Sequence, residues 1–166
     1  MDNEKVVLAF GSNEGKREEN IKTALKFLET NGVKLEKLSS FYNTKPVDYT
    51  NQPDFINCVG VFSTAITPFK LLRMIKQIEK RMGRNTKIEK GPRNIDIDII
   101  FYERVCTQTY NLQIPHGEYR NRMFVLFPLS ELMPDYIPVN EKLTVKQLLK
   151  KCPDKQSEPK KIAMKK

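Results

Sequence analysis

At 166 residues the chain is long enough to bury the core of one ordinary domain and too short for two comfortable ones. With 30% charged and 39% hydrophobic residues it fits a soluble globular protein, and no apolar run approaches the length that crosses a bilayer. The net charge of +9 gathers at the C-terminus, where residues 150–166 hold seven lysines against Asp154 and Glu158. The body keeps a modest excess, compatible with a polyphosphate substrate and too small to argue for nucleic acid.

Taken in chain order, KVVLAF (5–10) is a continuous apolar run ended by Gly11-Ser12-Asn13, which predicts a buried first strand and a turn. From about Lys16 the pattern becomes helical, with Ile21, Leu25 and Leu28 on one face and Gly32 as the stop. Residues 33–43 and FINCVGVFS (55–63) predict strands. Between them NTKPVDYTNQPD (43–54) is polar, carries two prolines and is long enough to be a functional loop. Thr67-Pro68 opens a second helix whose stripe is Leu71, Ile75, Ile78 and Met82, with Gly83 after it. A second polar loop, RNTKIEKGP (84–92), precedes a strand running to about Tyr102.

The order β-α-β-β-α-β predicts an α+β fold with a ferredoxin-like core. An extra C-terminal strand near Leu112 and helical turns around 124–133 and 143–151 complete a three-layer αβα domain over residues 1–151. Residues 152–166, lysine-rich with two prolines, are expected to form a disordered basic tail with little to pack against the body. The N-terminus MDNEKVVLAF lacks the layout of a signal peptide. The scattered Cys58, Cys106 and Cys152 read as reduced thiols, so a cytoplasmic protein is expected.

Chemistry concentrates in GPRNIDIDII (91–100). Side chains alternate along a strand, so Ile95, Ile97 and Ile99 share one face while Asp96 and Asp98 share the other, about 7 Å apart. Two ionised carboxylates at that spacing repel unless positive charge intervenes. Arg93 on a solvated face would suffice for an isolated D-x-D; a divalent cation is the functional alternative. Arg84, Lys87, Lys90, Arg93, Arg120 and Arg122 supply the cations that match polyphosphate oxygens. His116, the only histidine, suits a structural role or a hydrogen bond to phosphate. Asn57 offers donor and acceptor to the edge of a flat heterocycle, or simply faces solvent from an edge strand. Phe55 and Phe124, taken singly, are as well explained by core packing. GSNEGK is not a phosphate-binding loop of the G-x-x-x-x-G-K-[ST] type.

LAFGSN (8–13), SSFYNTKPV (39–47), QPDFIN (52–57), GPRNIDIDII (91–100) and IPH…RNRMFVLFPLSEL (114–132) together resemble the 6-hydroxymethyl-7,8-dihydropterin pyrophosphokinases of folate biosynthesis. The likeness runs from residue 5 to about 150 in the family's order. It implies transfer of pyrophosphate from ATP to a pterin hydroxymethyl group, with release of AMP. By the same resemblance Asp96 and Asp98 hold two Mg²⁺ ions, and Arg84 and Arg93 are the catalytic arginines. Glu79, Arg84, Arg93, Ile99, His116 and Arg122 match ATP contacts. Gly11, Thr44, Val47, Phe55, Asn57, Asp96 and Phe124 match the pterin pocket, with Phe55 and Phe124 as the aromatic pair around the ring. The implied partners are small molecules alone, with no nucleic acid and no membrane, acting on a monomer. Lys90 stands where many members have tryptophan, and Phe55 where tyrosine is common.

Two alternatives stay open at this level. A basic ferredoxin-like module that binds RNA would stack bases on sheet aromatics, but its expected aromatic block is missing and the acidic pair repels phosphates. A metal-dependent phosphohydrolase would use the same D-x-D to activate water.

Overall fold

The apolar run at the N-terminus becomes β1 (Glu4–Ser12), the spine of the sheet, hydrogen-bonded on both sides. The computed structural model describes residues 3–47, 49–83, 94–103, 105–154 and 158–163. After β1 come α1 (Arg17–Thr30), β2 (Lys34–Leu38), β3 (Phe41–Thr44), β4 (Phe55–Thr64), α2 (Pro68–Arg81) and β5 (Asp96–Tyr102). The sheet order β5-β1-β4-β3, with every neighbour antiparallel, is that of the ferredoxin-like split fold. A two-stranded sheet of β6 (Thr107–Gln108) and β7 (Gln113–Ile114), then α3 (Met123–Leu132) and α4 (Val145–Lys151), follow.

Alternation along the strands builds two cores, one on each face. Val6, Leu8 and Phe10 of β1 meet Ile21, Ala24 and Leu28 of α1 and Leu71, Ile75 and Ile78 of α2. Val7 and Ala9 face the other way, towards Val125, Leu126 and Leu129 of α3 and Val145 and Leu148 of α4. The chain is therefore the expected three-layer α+β domain. Pro68 occupies the first turn of α2, where its missing N–H costs nothing. α4 begins with a reciprocal cap between Thr144 and Gln147.

The predicted strand 33–43 is two strands. Ser39 interrupts it: its Oγ accepts the Val59 N–H at 2.9 Å, standing in for a backbone carbonyl. The register on β4 advances by one residue between Leu35 and Lys37, and by one more where Tyr42 faces Asn57. The larger departure concerns the expected disordered tail. Lys160–Ile162 forms β8, paired antiparallel with β3, and Cys152 and Pro159 are buried. Composition argued for a solvated tail, but backbone pairing to an open edge needs only one apolar anchor, and Ile162 packs on the α1/α2 core. The lysines then face outward, where they discourage further strand addition.

β5 carries the aspartates at the edge of this sheet. Ile95, Ile97 and Ile99 are 0%, 2% and 5% exposed against α2, so the strand is anchored from the face opposite Asp96 and Asp98. Ile97→Ala should destabilise the protein by about 2–4 kcal/mol in denaturant unfolding, since a cavity would open beneath the carboxylates; a cost below about 1 kcal/mol would show the strand is held otherwise.

Candidate active site

One end of the sheet opens into a cavity of about 250 Å³. Its floor is made by Gly11 at the end of β1 together with Asp96 and Asp98 of β5; Asp96 stands opposite Gly11 and Asp98 opposite Ala9 in the ladder. Thr44 at the end of β3, Lys45, Pro46, Val47 and Gln52 of the loop after it, and Phe55 and Asn57 of β4 form one wall. Lys76 of α2, His116, and Arg122 and Phe124 at the start of α3 form the other. Ten sequence-predicted residues thus converge: Gly11, Thr44, Val47, Phe55, Asn57, Asp96, Asp98, His116, Arg122 and Phe124.

Two others lie elsewhere. Glu79 is buried beneath β5, where its Oε2 accepts the Ile97 N–H at 3.1 Å and its Oε1 accepts from Lys76 Nζ at 3.3 Å. Ile99 sits in the α1/α2 core. Neither side chain lines the cavity; Glu79 instead fixes the edge strand midway between the two aspartates. Arg84 and Arg93, expected to be catalytic, lie outside the described residues, as do Lys87 and Lys90. Lys45, Pro46, Gln52 and Lys76 line the cavity as well, without a sequence motif that singles them out. For Lys76 the available signal was its place one turn before Glu79 on a helix leading to the aspartates.

The end away from the carboxylates is polar and tightly fixed. Asn57 and Thr44 are buried, and Asn57 Nδ2 donates to Thr44 Oγ1 at 2.5 Å, which fixes the amide's orientation. A Cβ on Gly11 would fall 2.7 Å from Asn57 Oδ1, so only glycine leaves that amide in place. The loop behind is pinned by the turn after β1: Asn13 Nδ2 donates to Gln52 Oε1 at 2.8 Å and to the Pro53 carbonyl at 3.0 Å. Arg17 Nη1 donates to the Asp54 carbonyl at 3.0 Å.

At the carboxylate end, loss of water and then the charge of Asp96 hold the Asp98 carboxyl well above the usual carboxylate range. Arg122 Nη1, 3.8 Å from Asp98 Oδ2, offsets this only in part. Burial, then the Arg122 charge, pushes His116 down to about 4, so the ring is neutral at pH 7. Its Nδ1 accepts the Glu118 N–H at 3.1 Å, which leaves the proton on Nε2 as a donor. Its backbone N–H donates to the Ile100 carbonyl at 2.9 Å, tying the histidine to β5. Crowded acidic oxygens beside a cavity are the donor set a hard divalent cation takes. Among the described residues no group of three or more His, Cys, Asp or Glu is placed to hold a metal, so such a cation would complete its shell from ligand oxygens and water.

Fold and site together define a ferredoxin-like α+β protein with one carboxylate-floored, base-rimmed ligand cavity. A family model described as 7,8-dihydro-6-hydroxymethylpterin-pyrophosphokinase (HPPK) matches residues 7–134, and the chain belongs to that family. It is 39% identical over 126 residues to the 2-amino-4-hydroxy-6-hydroxymethyldihydropteridine pyrophosphokinase of Bacillus subtilis, covering 75% of each chain. It is 41% identical over 147 residues to the folic acid synthesis protein fol1 of Schizosaccharomyces pombe, covering 88% of this chain and 20% of that protein. A mitochondrial folate synthesis bifunctional protein of Pisum sativum is 42% identical over 130 residues, 78% of this chain and 25% of the relative. The chain therefore spans about a fifth to a quarter of the length of several curated relatives it matches. A crystal structure of the HPPK-DHPS of Plasmodium falciparum shares the fold, with a TM-score of 0.75 at 18% identity over 91% of this chain and 46% of that one.

A carboxyl whose folded pKa is raised binds its proton more tightly in the folded state, so it withdraws stability as pH rises from the ordinary carboxylate value through the raised one. Asp98→Asn should therefore melt higher than the parent at pH 7 without divalent cations, by the equivalent of about 1 kcal/mol or more, and the gap should close near pH 4. A variant that melts lower at pH 7 would contradict the repulsion.

Proposed function

We propose that this protein transfers the pyrophosphoryl group of ATP to the hydroxymethyl oxygen of 6-hydroxymethyl-7,8-dihydropterin and releases AMP, as its family membership implies. The single observation that carries this is one cavity with two unlike ends. A fixed amide–hydroxyl pair beside Phe55 and Phe124 faces a carboxylate pair rimmed by Arg122, His116 and Lys76. A flat heterocycle with donors and acceptors on its edge fits the first end; a polyphosphate with its cations fits the second.

Asn57 and Thr44 then hold the pterin edge, with Val47, Gly11 and Asp96 around it, while Phe55 and Phe124 cover its faces. Neutral His116 donates to a phosphate oxygen through Nε2, and Arg122 and Lys76 add charge along the chain of phosphates. Arg84 and Arg93 are proposed to act from the loop after α2, and Glu79 and Ile99 to support the ATP side from beneath. Asp96 and Asp98 would hold two Mg²⁺ ions, which when bound neutralise the phosphates and polarise the β-phosphorus. The hydroxymethyl oxygen forms its bond to the β-phosphorus, the bond from that phosphorus to the α,β-bridging oxygen breaks, and the hydroxyl proton passes to solvent. The two ends of the cavity would hold the two reactants side by side.

We further place the chain as a monomer acting on small molecules in the cytoplasm. In support of the compartment, the three cysteines are free, as reducing surroundings keep them.

Incubation with ATP, Mg²⁺ and the pterin alcohol should yield AMP and pterin diphosphate in equal amounts. ADP as the main product, or turnover indifferent to the pterin, would overturn the assignment. Asp96→Ala and Asp98→Ala should each lower kcat about a hundredfold or more while leaving the far-ultraviolet circular dichroism unchanged. In Gly11→Ala the new methyl should displace the Asn57 amide and raise the KM for pterin about tenfold, with the KM for ATP unaltered. Equal rises in both constants would refute that division of the cavity.

A further inference from the structure

We propose that the C-terminal segment is a positioning element for the pterin end of the cavity, acting through Pro159 and Ile162; this rests on the function proposed above. β3 pairs with β4 on one side and presents Thr44 at its last position. Its other edge is closed by β8 in the register Phe41↔Ile162, Tyr42↔Lys161, Asn43↔Lys160. Continuing that antiparallel register sets Pro159 beside Thr44, where the absent N–H ends the ladder.

Pro159 and Asp154 join Thr44, Lys45, Val47, Met123 and Phe124 around a second, minute cavity of about 10 Å³. Four of these residues, Thr44, Lys45, Val47 and Phe124, also line the substrate cavity. Thr44, Lys45 and Val47 on one wall and Phe124 on the other thus have two sides, a front that meets ligand and a back that meets the C-terminal segment. The gap behind the wall holds at most one water molecule, so there is almost no room for it to recoil. The segment itself is anchored twice, by buried Cys152 in the α3/α4 core and by Ile162 in the α1/α2 core. Pro159 and β8 thus close the free edge of β3 and back Thr44, whose Oγ1 orients the Asn57 amide. The Lys76, Asp96, Asp98, His116 and Arg122 end of the cavity has no such backing from these residues, so the effect should fall on the pterin and spare ATP.

Two full-length variants test this. Ile162→Asp sets a carboxylate against the core and strips β8 from its edge; Pro159→Gly keeps the strand and loosens the wall. Both should raise the KM for pterin, about tenfold for Ile162→Asp and less for Pro159→Gly, while the KM for ATP stays within about twofold and Ile162→Val behaves as the parent. Fluorescence titration of the pterin with a non-hydrolysable ATP analogue should show the same loss of affinity. Parallel rises in both Michaelis constants, as from general destabilisation, or no change in either, would overturn the proposal. A parent protein that makes no pterin-dependent AMP would instead defeat the functional reading on which it rests.

Discussion

Everything at the open end of this sheet is arranged around the mutual repulsion of Asp96 and Asp98. A strand's alternation forces two residues two apart onto one face, about 7 Å from each other, and burial weakens the water that would screen them. The raised pKa of Asp98, owed first to burial and then to the charge of Asp96, carries the mark of that crowding. Such a pair persists only if the backbone beneath it cannot twist away. Three restraints supply this: the β1 ladder on one edge, the isoleucines packed on α2, and the Glu79 carboxylate on the Ile97 N–H at the other edge.

From that fixed point the remaining groups follow by short connections. His116 is tied to the end of β5 through the Ile100 carbonyl, and Arg122 and Phe124 enter with the first residues of α3. The facing wall reaches the same cavity from β3, β4 and the loop pinned by Asn13 and Arg17. Strands, α2 and the start of α3 therefore carry most of the chemistry-bearing side chains, while Lys45, Pro46, Val47 and Gln52 come from the loop after β3 and His116 from the loop after β7.

Much of this is legible in the sequence because periodicity is a local property. The isoleucine–aspartate alternation, the stripe from Leu71 to Met82 and the proline at the start of α2 each report on their own element. What escaped depends on partners distant in the chain. Ser39 breaks its strand because its hydroxyl replaces a carbonyl for Val59, a swap that no pattern in 33–43 announces. β8 has a single apolar residue and a disordered composition; it forms because β3 has a free edge. Glu79, which the resemblance places at the ATP site, also accepts the Ile97 N–H between the aspartates, a contact that no pattern in α2 announces. Lys76 and Gln52 look like ordinary surface residues until the fold brings them to the cavity.

The central claim is that the aspartate pair exists to gather divalent cations on a triphosphate. Electron paramagnetic resonance of Mn²⁺, added with a non-hydrolysable ATP analogue and the pterin, tests it most directly. The account predicts two ions per chain whose spectra are broadened by mutual coupling, with the coupling lost in Asp98→Asn. A single uncoupled ion in the parent protein, with a signal indifferent to that substitution, would contradict it.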